Sequence, residues 1–131
     1  MLIEWDGSLD IGHELIDAQH RSLVDIINRL HMDRLSGAGR EHIRAVLMDL
    51  YKYTLFHFGE EEGIMRAACY PAAVEHKAEH EAFIARLDTL ASRLKTGDEQ
   101  VAADTFNWLV GWLLDHITLM DRKLAVCLAK G

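Results

Sequence analysis

Apolar residues recur along this chain at spacings of three and four, and four such stripes run between breaks. The first carries His20, Leu23, Ile27 and Leu30, and stops at "SGAG", residues 36–39. The second runs from about 40 to 67 with Ile43, Leu47, Leu50, Thr54, His57, Glu61 and Ile64 on its stripe. "CYP" at 69–71 breaks it, because Pro71 disfavours helical geometry in Tyr70. The third carries His76, His80, Phe83, Leu87, Leu90 and Leu94 and ends at "TGDEQ", residues 96–100. The fourth carries Val101, Thr105, Leu109, Trp112, His116 and Met120, and is expected to reach Cys127. Residues 1–16, with Gly7, Ser8 and Gly12, keep no period and read as an N-terminal arm, with Asp17 capping the first helix. Four amphipathic helices with short connections, and no strand-like alternation, predict an all-α fold. The expected architecture is an up-down-up-down four-helix bundle over residues 17–131 behind the arm, all in one domain of 131 residues.

Each stripe is interrupted by a polar residue where a bundle would bury it. His20 interrupts the first, His57 and Glu61 the second, His76 and His80 the third, and His116 the fourth. Residues four apart lie on one helix face, so Glu61 shares the face of His57. Glu60 and Glu62 point about 100° to either side and can reach solvent. In an antiparallel bundle, positions early in helices one and three and late in helices two and four fall at the same end. All six residues therefore meet at one axial level. A single core histidine is ordinary, and so is a single glutamate on a charged face. Six at one level are not.

The overall charge of −7 argues against nucleic acid or an anionic membrane surface as partner. No uncharged apolar run nears the ~20 residues of a membrane span. The start, "MLIEWDGSLD", does not resemble a signal peptide. Two cysteines, Cys69 and Cys127, do not make a disulfide framework, and a cytoplasmic protein is the expectation. The two cysteines fall at the same end of the bundle as the histidines. They are expected to be incidental, with an oxidative link between them as the less favoured alternative.

Burying an unpaired carboxylate costs several kcal/mol, and neutral imidazoles beside it need partners too. A metal centre supplies them. Nitrogen and oxygen donors without thiolate suit iron, and also manganese or zinc. Six or more donors exceed the needs of one tetrahedral ion, so two metals are expected. Asp121 is the candidate seventh donor. It stands five residues after His116, which an ideal helix places ~140° away. It joins the site if the fourth helix is locally overwound or bulged, or if the cluster spreads sideways; spacing alone leaves this open.

His20, "HFGEE", "HKAEH" and "HITLMD", in that order, resemble the hemerythrin family in its bacterial single-domain form, as do "WDGSLDIG" at the start and "YP" before the third helix. The resemblance spans nearly the whole chain. It implies a four-helix bundle holding two iron ions as a non-haem di-iron centre that binds dioxygen reversibly. By that resemblance His76, His80 and His116 ligate one iron and His20 and His57 the other. Glu61 and Asp121 bridge them, with an oxo or hydroxo bridge between, which leaves one open position. Leu23, Trp112, Leu113 and Ile117 match the family's apolar dioxygen pocket. They would be core in any bundle.

The expected function is therefore oxygen storage, carriage or delivery, without enzymatic turnover. The alternatives are an oxygen- or redox-sensing module acting through a protein partner, and a di-iron enzyme consuming peroxide or nitric oxide. The five-histidine donor set argues against oxygen activation at a carboxylate-rich site. Three histidines fall outside the cluster. His42 reads as surface. His31 lies ~16 Å along the helix from His20. His13 reads as part of the arm, close to the site only if the arm folds near it.

Overall fold

A computed structural model describes residues 10–37, 39–98 and 100–130. Helix α1 spans Glu14–Leu35, α2 Arg40–Ala67, α3 Ala73–Lys95, α4 Val101–Asp115 and α5 Arg122–Lys130. Between α4 and α5 the chain stays helical but makes one wide π turn, His116–Asp121. The segment from α4 to α5 is thus one interrupted fourth helix. α1 packs on α2 and α4, and α3 packs on the same two, which closes a four-helix bundle. No strand occurs among the described residues. Among them no helix is long and apolar enough to cross a membrane.

The apolar stripes face inward as the periodicity requires. Leu23, Ile27 and Leu30 of α1 meet Leu47 and Leu50 of α2, Phe83, Leu87 and Leu90 of α3, and Leu109 and Leu113 of α4 in one core. A second, smaller cluster of Ile16, Met65, Tyr70 and Leu124 lies apart from it, with Cys127 packed against it.

Three local features differ from expectation. The first helix starts at Glu14, three residues before the expected cap at Asp17, so the arm ends earlier than residue 16. His13 is the cap: its ring accepts a hydrogen bond from the Ile16 amide at 3.3 Å. Asp17 instead reaches back, accepting from the amides of Ile11 at 2.9 Å and Gly12 at 3.2 Å. Side chain and cap thus satisfy amides on both sides of the helix start. Residues 1–9 of the arm lie outside the described residues.

The break after α2 begins before the proline. The Tyr70 amide donates to Met65 O at 3.0 Å and the Cys69 amide to Arg66 O at 3.1 Å, a Schellman closure. Cys69 holds the left-handed position of that closure, with φ +51°, where glycine is usual.

The wide turn is the third difference. It adds one residue to the circuit of the helix, so the buried stripe advances by one after His116. Met120, expected on the stripe, is half-buried. Asp121 takes its place, and Leu124 and Ala125 follow as the buried residues of α5. The helix is thus bulged rather than overwound, and the bulge turns Asp121 inward.

Candidate metal centre

The inward turn of Asp121 completes a cluster of seven side chains at one end of the bundle. His20, His57, Glu61, His76, His80, His116 and Asp121 are all buried, each exposed by 2 % or less. The structure brings together every residue that the sequence nominates for a metal. Their donor atoms fall into two groups, each lying within 4.8 Å. One holds Glu61, His76, His80, His116 and Asp121; the other holds His20, His57, Glu61 and Asp121.

Both carboxylates belong to both groups, and each divides its oxygens between them. Glu61 Oε1 lies 2.6 Å from His76 Nε2 and 3.1 Å from His80 Nε2, whereas Oε2 lies 3.4 Å from His57 Nε2. Asp121 Oδ1 lies 2.8 Å from His76 Nε2 and 3.0 Å from His116 Nε2, whereas Oδ2 lies 2.9 Å from His20 Nε2. The oxygens of Glu61 and Asp121 and Nε2 of His76 are close to these neighbours yet off the line a hydrogen bond needs. They converge on shared points rather than on one another.

The outer ring nitrogens explain why. His80 Nδ1 donates to Glu62 Oε2 at 2.9 Å, and His116 Nδ1 donates to Glu79 Oε1 at 3.2 Å. His57 Nδ1 donates to the side-chain oxygen of Gln19 at 2.6 Å. A neutral imidazole that donates through Nδ1 presents a bare lone pair at Nε2. His80 Nε2 and His116 Nε2 face each other at 3.2 Å, so two lone pairs meet there unless a positive charge intervenes.

In the metal-free chain protons supply that charge. Burial alone would lower His76 and His116, but Asp121 and Glu61 overcome it and hold them at about 9 and about 10. Burial and the Asp121 charge would raise Glu61, but His116, His76 and His80 outweigh both and pull it down to about 2. Burial favours the neutral acid at Asp121 as well, yet His116, His20 and His76 hold it well below the usual carboxylate range. His57 goes the other way. Its burial outweighs the pull of Glu61 and lowers it to about 4, so it is neutral and ready to donate a lone pair. An array of nitrogen and oxygen donors without thiolate, converging from both sides on two shared carboxylates, fits a non-haem di-iron centre.

Aromatic rings wall the three-histidine side. Phe58 stacks on His80 at 3.9 Å and Trp112 on His116 at 4.4 Å. Of the four nominated pocket residues, Leu23, Leu113 and Ile117 are buried in the main core and Trp112 is half-buried against it. The histidines outside the cluster behave as their positions imply. His42 is exposed, and His31 stacks on Phe106 at 4.2 Å, away from the donors. Both cysteines are free thiols, Cys69 exposed and Cys127 half-buried.

Gln19, Glu62 and Glu79 do not stand out in the sequence. Each is the chain neighbour of a cluster residue and hydrogen-bonds across a helix pair. Adjacency to His20, Glu61 and His80 is the only signal the sequence carries for them.

A family model, the hemerythrin HHE cation binding domain, matches residues 11–128. The chain belongs to the hemerythrin family. A bacteriohemerythrin of Stenotrophomonas maltophilia is 35% identical over 124 residues, covering 95% of this chain and 80% of that relative. One from Pseudomonas aeruginosa is 38% identical over 113 residues, covering 86% of this chain and 72% of its own length. A hemerythrin from Sipunculus nudus is 31% identical over 119 residues, covering 91% of this chain and 87% of that relative. Among solved structures, a wild-type hemerythrin superposes with a TM-score of 0.89 at 29% identity, over 98% of both chains. Hemerythrin membership and the buried donor cluster agree on a metal-binding bundle.

Proposed function

We propose that this hemerythrin binds dioxygen reversibly at a di-iron centre and serves to store, carry or deliver it. His76, His80 and His116 would hold one iron, His20 and His57 the other, with Glu61 and Asp121 spanning both. The observation that carries this reading is the division of carboxylate oxygens, one of each pair facing each histidine group. That division also sets the donor count: five side chains serve one group and four the other. The group with His20 and His57 is one donor short, which leaves it a position for a small external ligand. When bound, the iron pair supplies the electrons that dioxygen binding draws on.

The chain itself does the rest. Bare Nε2 lone pairs are held in place by Nδ1–H donation to Gln19, Glu62 and Glu79. Leu23, Leu113 and Ile117, each exposed by 1 % or less, exclude water from the bundle interior. Excluding water and protons favours release of dioxygen unchanged over its reduction. We assign the protein no catalytic turnover on this basis.

The test is direct. Protein loaded and reduced without air should hold two irons per chain, gain a visible absorption band on exposure to dioxygen, and lose it under argon over repeated cycles. One metal per chain, or a band that argon never removes from freshly reduced protein, would count against the reading.

A further inference from the structure

We infer that Glu62 and Glu79 make the two iron positions electronically unequal, holding the three-histidine iron in its higher oxidation state more firmly than its neighbour. The inference rests on the ligation proposed above. Two of the three histidines on that side, His80 and His116, donate Nδ1–H to a carboxylate, at 2.9 and 3.2 Å. On the other side His57 donates to a neutral amide, Gln19, at 2.6 Å.

The difference is one of charge, not of hydrogen-bond number. A carboxylate acceptor draws the Nδ1 proton toward itself and pushes electron density onto Nε2, which makes the imidazole a stronger donor to a metal. A more strongly donating ligand favours ferric over ferrous iron. An amide oxygen, uncharged, does this weakly. The short Gln19 contact therefore orients His57 while leaving its donor strength nearly unchanged. Both glutamates stand at the rim of the buried site, Glu62 with 19 % of its side chain exposed and Glu79 with 43 %. Solvent reaches them and screens their charge. Glu62, being the more buried and the closer, has the larger effect.

The consequence is a division of labour. The three-histidine group has the full donor set and the anionic support. The two-histidine group has the open position and, at His57, an uncharged acceptor, so its iron would give up and regain its electron at a higher potential. Dioxygen leaving unchanged would return one electron to each iron, and the three-histidine iron would be the harder of the two to re-reduce.

The experiment replaces charge while keeping the acceptor. Glu62→Gln and Glu79→Gln retain an oxygen for the Nδ1–H and remove the carboxylate. Glu81→Gln is the control: Glu81 lines the same open groove between α2 and α3 as Glu62 and His80, but has no hydrogen bond to the cluster. Each protein is loaded with iron, its iron content measured, and its reduction potentials determined by spectroelectrochemistry. Iron release to a chelator is followed alongside.

Glu62→Gln should weaken ferric relative to ferrous binding by about tenfold, a rise of ~59 mV in one couple, and hasten ferric iron release. Glu79→Gln should do the same to a smaller extent, and Glu81→Gln should leave both potentials in place. Gln19→Glu, which gives the other side a carboxylate, should lower the second couple and bring the two together. Equal shifts in Glu62→Gln and Glu81→Gln would reduce the effect to surface charge and overturn the inference. So would unshifted potentials in Glu62→Gln with both irons present. A wild-type chain that never takes two irons would instead remove the ligation on which the inference rests.

Discussion

At the scale of single residues, two histidines on neighbouring helices have opposite fates. His80 is buried beneath Phe58, with its inner nitrogen 3.1 Å from Glu61. His42 lies exposed two residues past the start of α2. His80→Ala is expected to lose the iron pair, through one missing donor and an orphaned Glu62, while His42→Ala keeps two irons per chain. Iron analysis of the two purified variants decides it, and equal loss in both would contradict the register. Six of the seven donors were legible in the sequence because each breaks an apolar stripe at spacings of three or four. Asp121 was not legible from period, since a five-residue step leaves the face of an ordinary helix. Only the family resemblance brought it in. Gln19, Glu62 and Glu79 escaped for a different reason: they lie beside the buried face, and their contacts depend on how neighbouring helices are turned, which periodicity does not encode.

At the scale of the helix, the bounds of α2 and α3 agree with the stripes because glycine-rich and proline-containing breaks stand on either side. The start of α1 did not, because its cap is a histidine, outside the usual capping set. Asp17, expected as the cap, lies inside the first turn and does a different job. Asp17 is exposed by only 7 %, and its carboxylate ties the amides of Ile11 and Gly12 to the first turn. Asp17→Ala should therefore cost about 1–3 kcal/mol through the loss of two partly buried hydrogen bonds to a charged acceptor, and Asp17→Asn less, since one acceptor remains. Urea unfolding at neutral pH measures both. A loss in Asp17→Ala no larger than ~0.5 kcal/mol, the scale of an ordinary surface substitution, would show that water satisfies those amides equally well.

For the whole molecule, the metal-free state has a stability profile set by its buried cluster. His76 and His116 have folded values of about 9 and about 10, above the ordinary 6.5. Groups raised in this way stabilise the fold fully below 6.5 and stop doing so as pH climbs through 9 and 10. His57 is lowered to about 4, so its effect is the reverse: present above 6.5 and lost as pH falls toward 4. Glu61, lowered to about 2, adds a further loss as the medium becomes strongly acidic. The melting temperature of chelator-treated protein should therefore peak near pH 6.5 and decline on both sides. Calorimetry across pH 4–10 tests this, and a melting temperature that rises steadily from neutrality to pH 9 would refute the assignment of protons to His76 and His116.

The wide turn His116–Asp121 also makes the fourth helix unequal in what lengths it accepts. It already carries one residue more than a regular helix would between Asp115 and Arg122. Deleting Leu119, which is 65 % exposed, uses up that surplus: the turn narrows to an ordinary one and α5 keeps Leu124 and Ala125 facing inward. Inserting an alanine after Leu119 has no such outlet and swings α5 by about 100°, carrying Leu124 toward water. The shortened chain should melt cooperatively with its helix content intact, and the lengthened one at a markedly lower temperature. Surface loops bear added residues more easily than a packed helix does; here a packed helix bears a subtraction and refuses an addition.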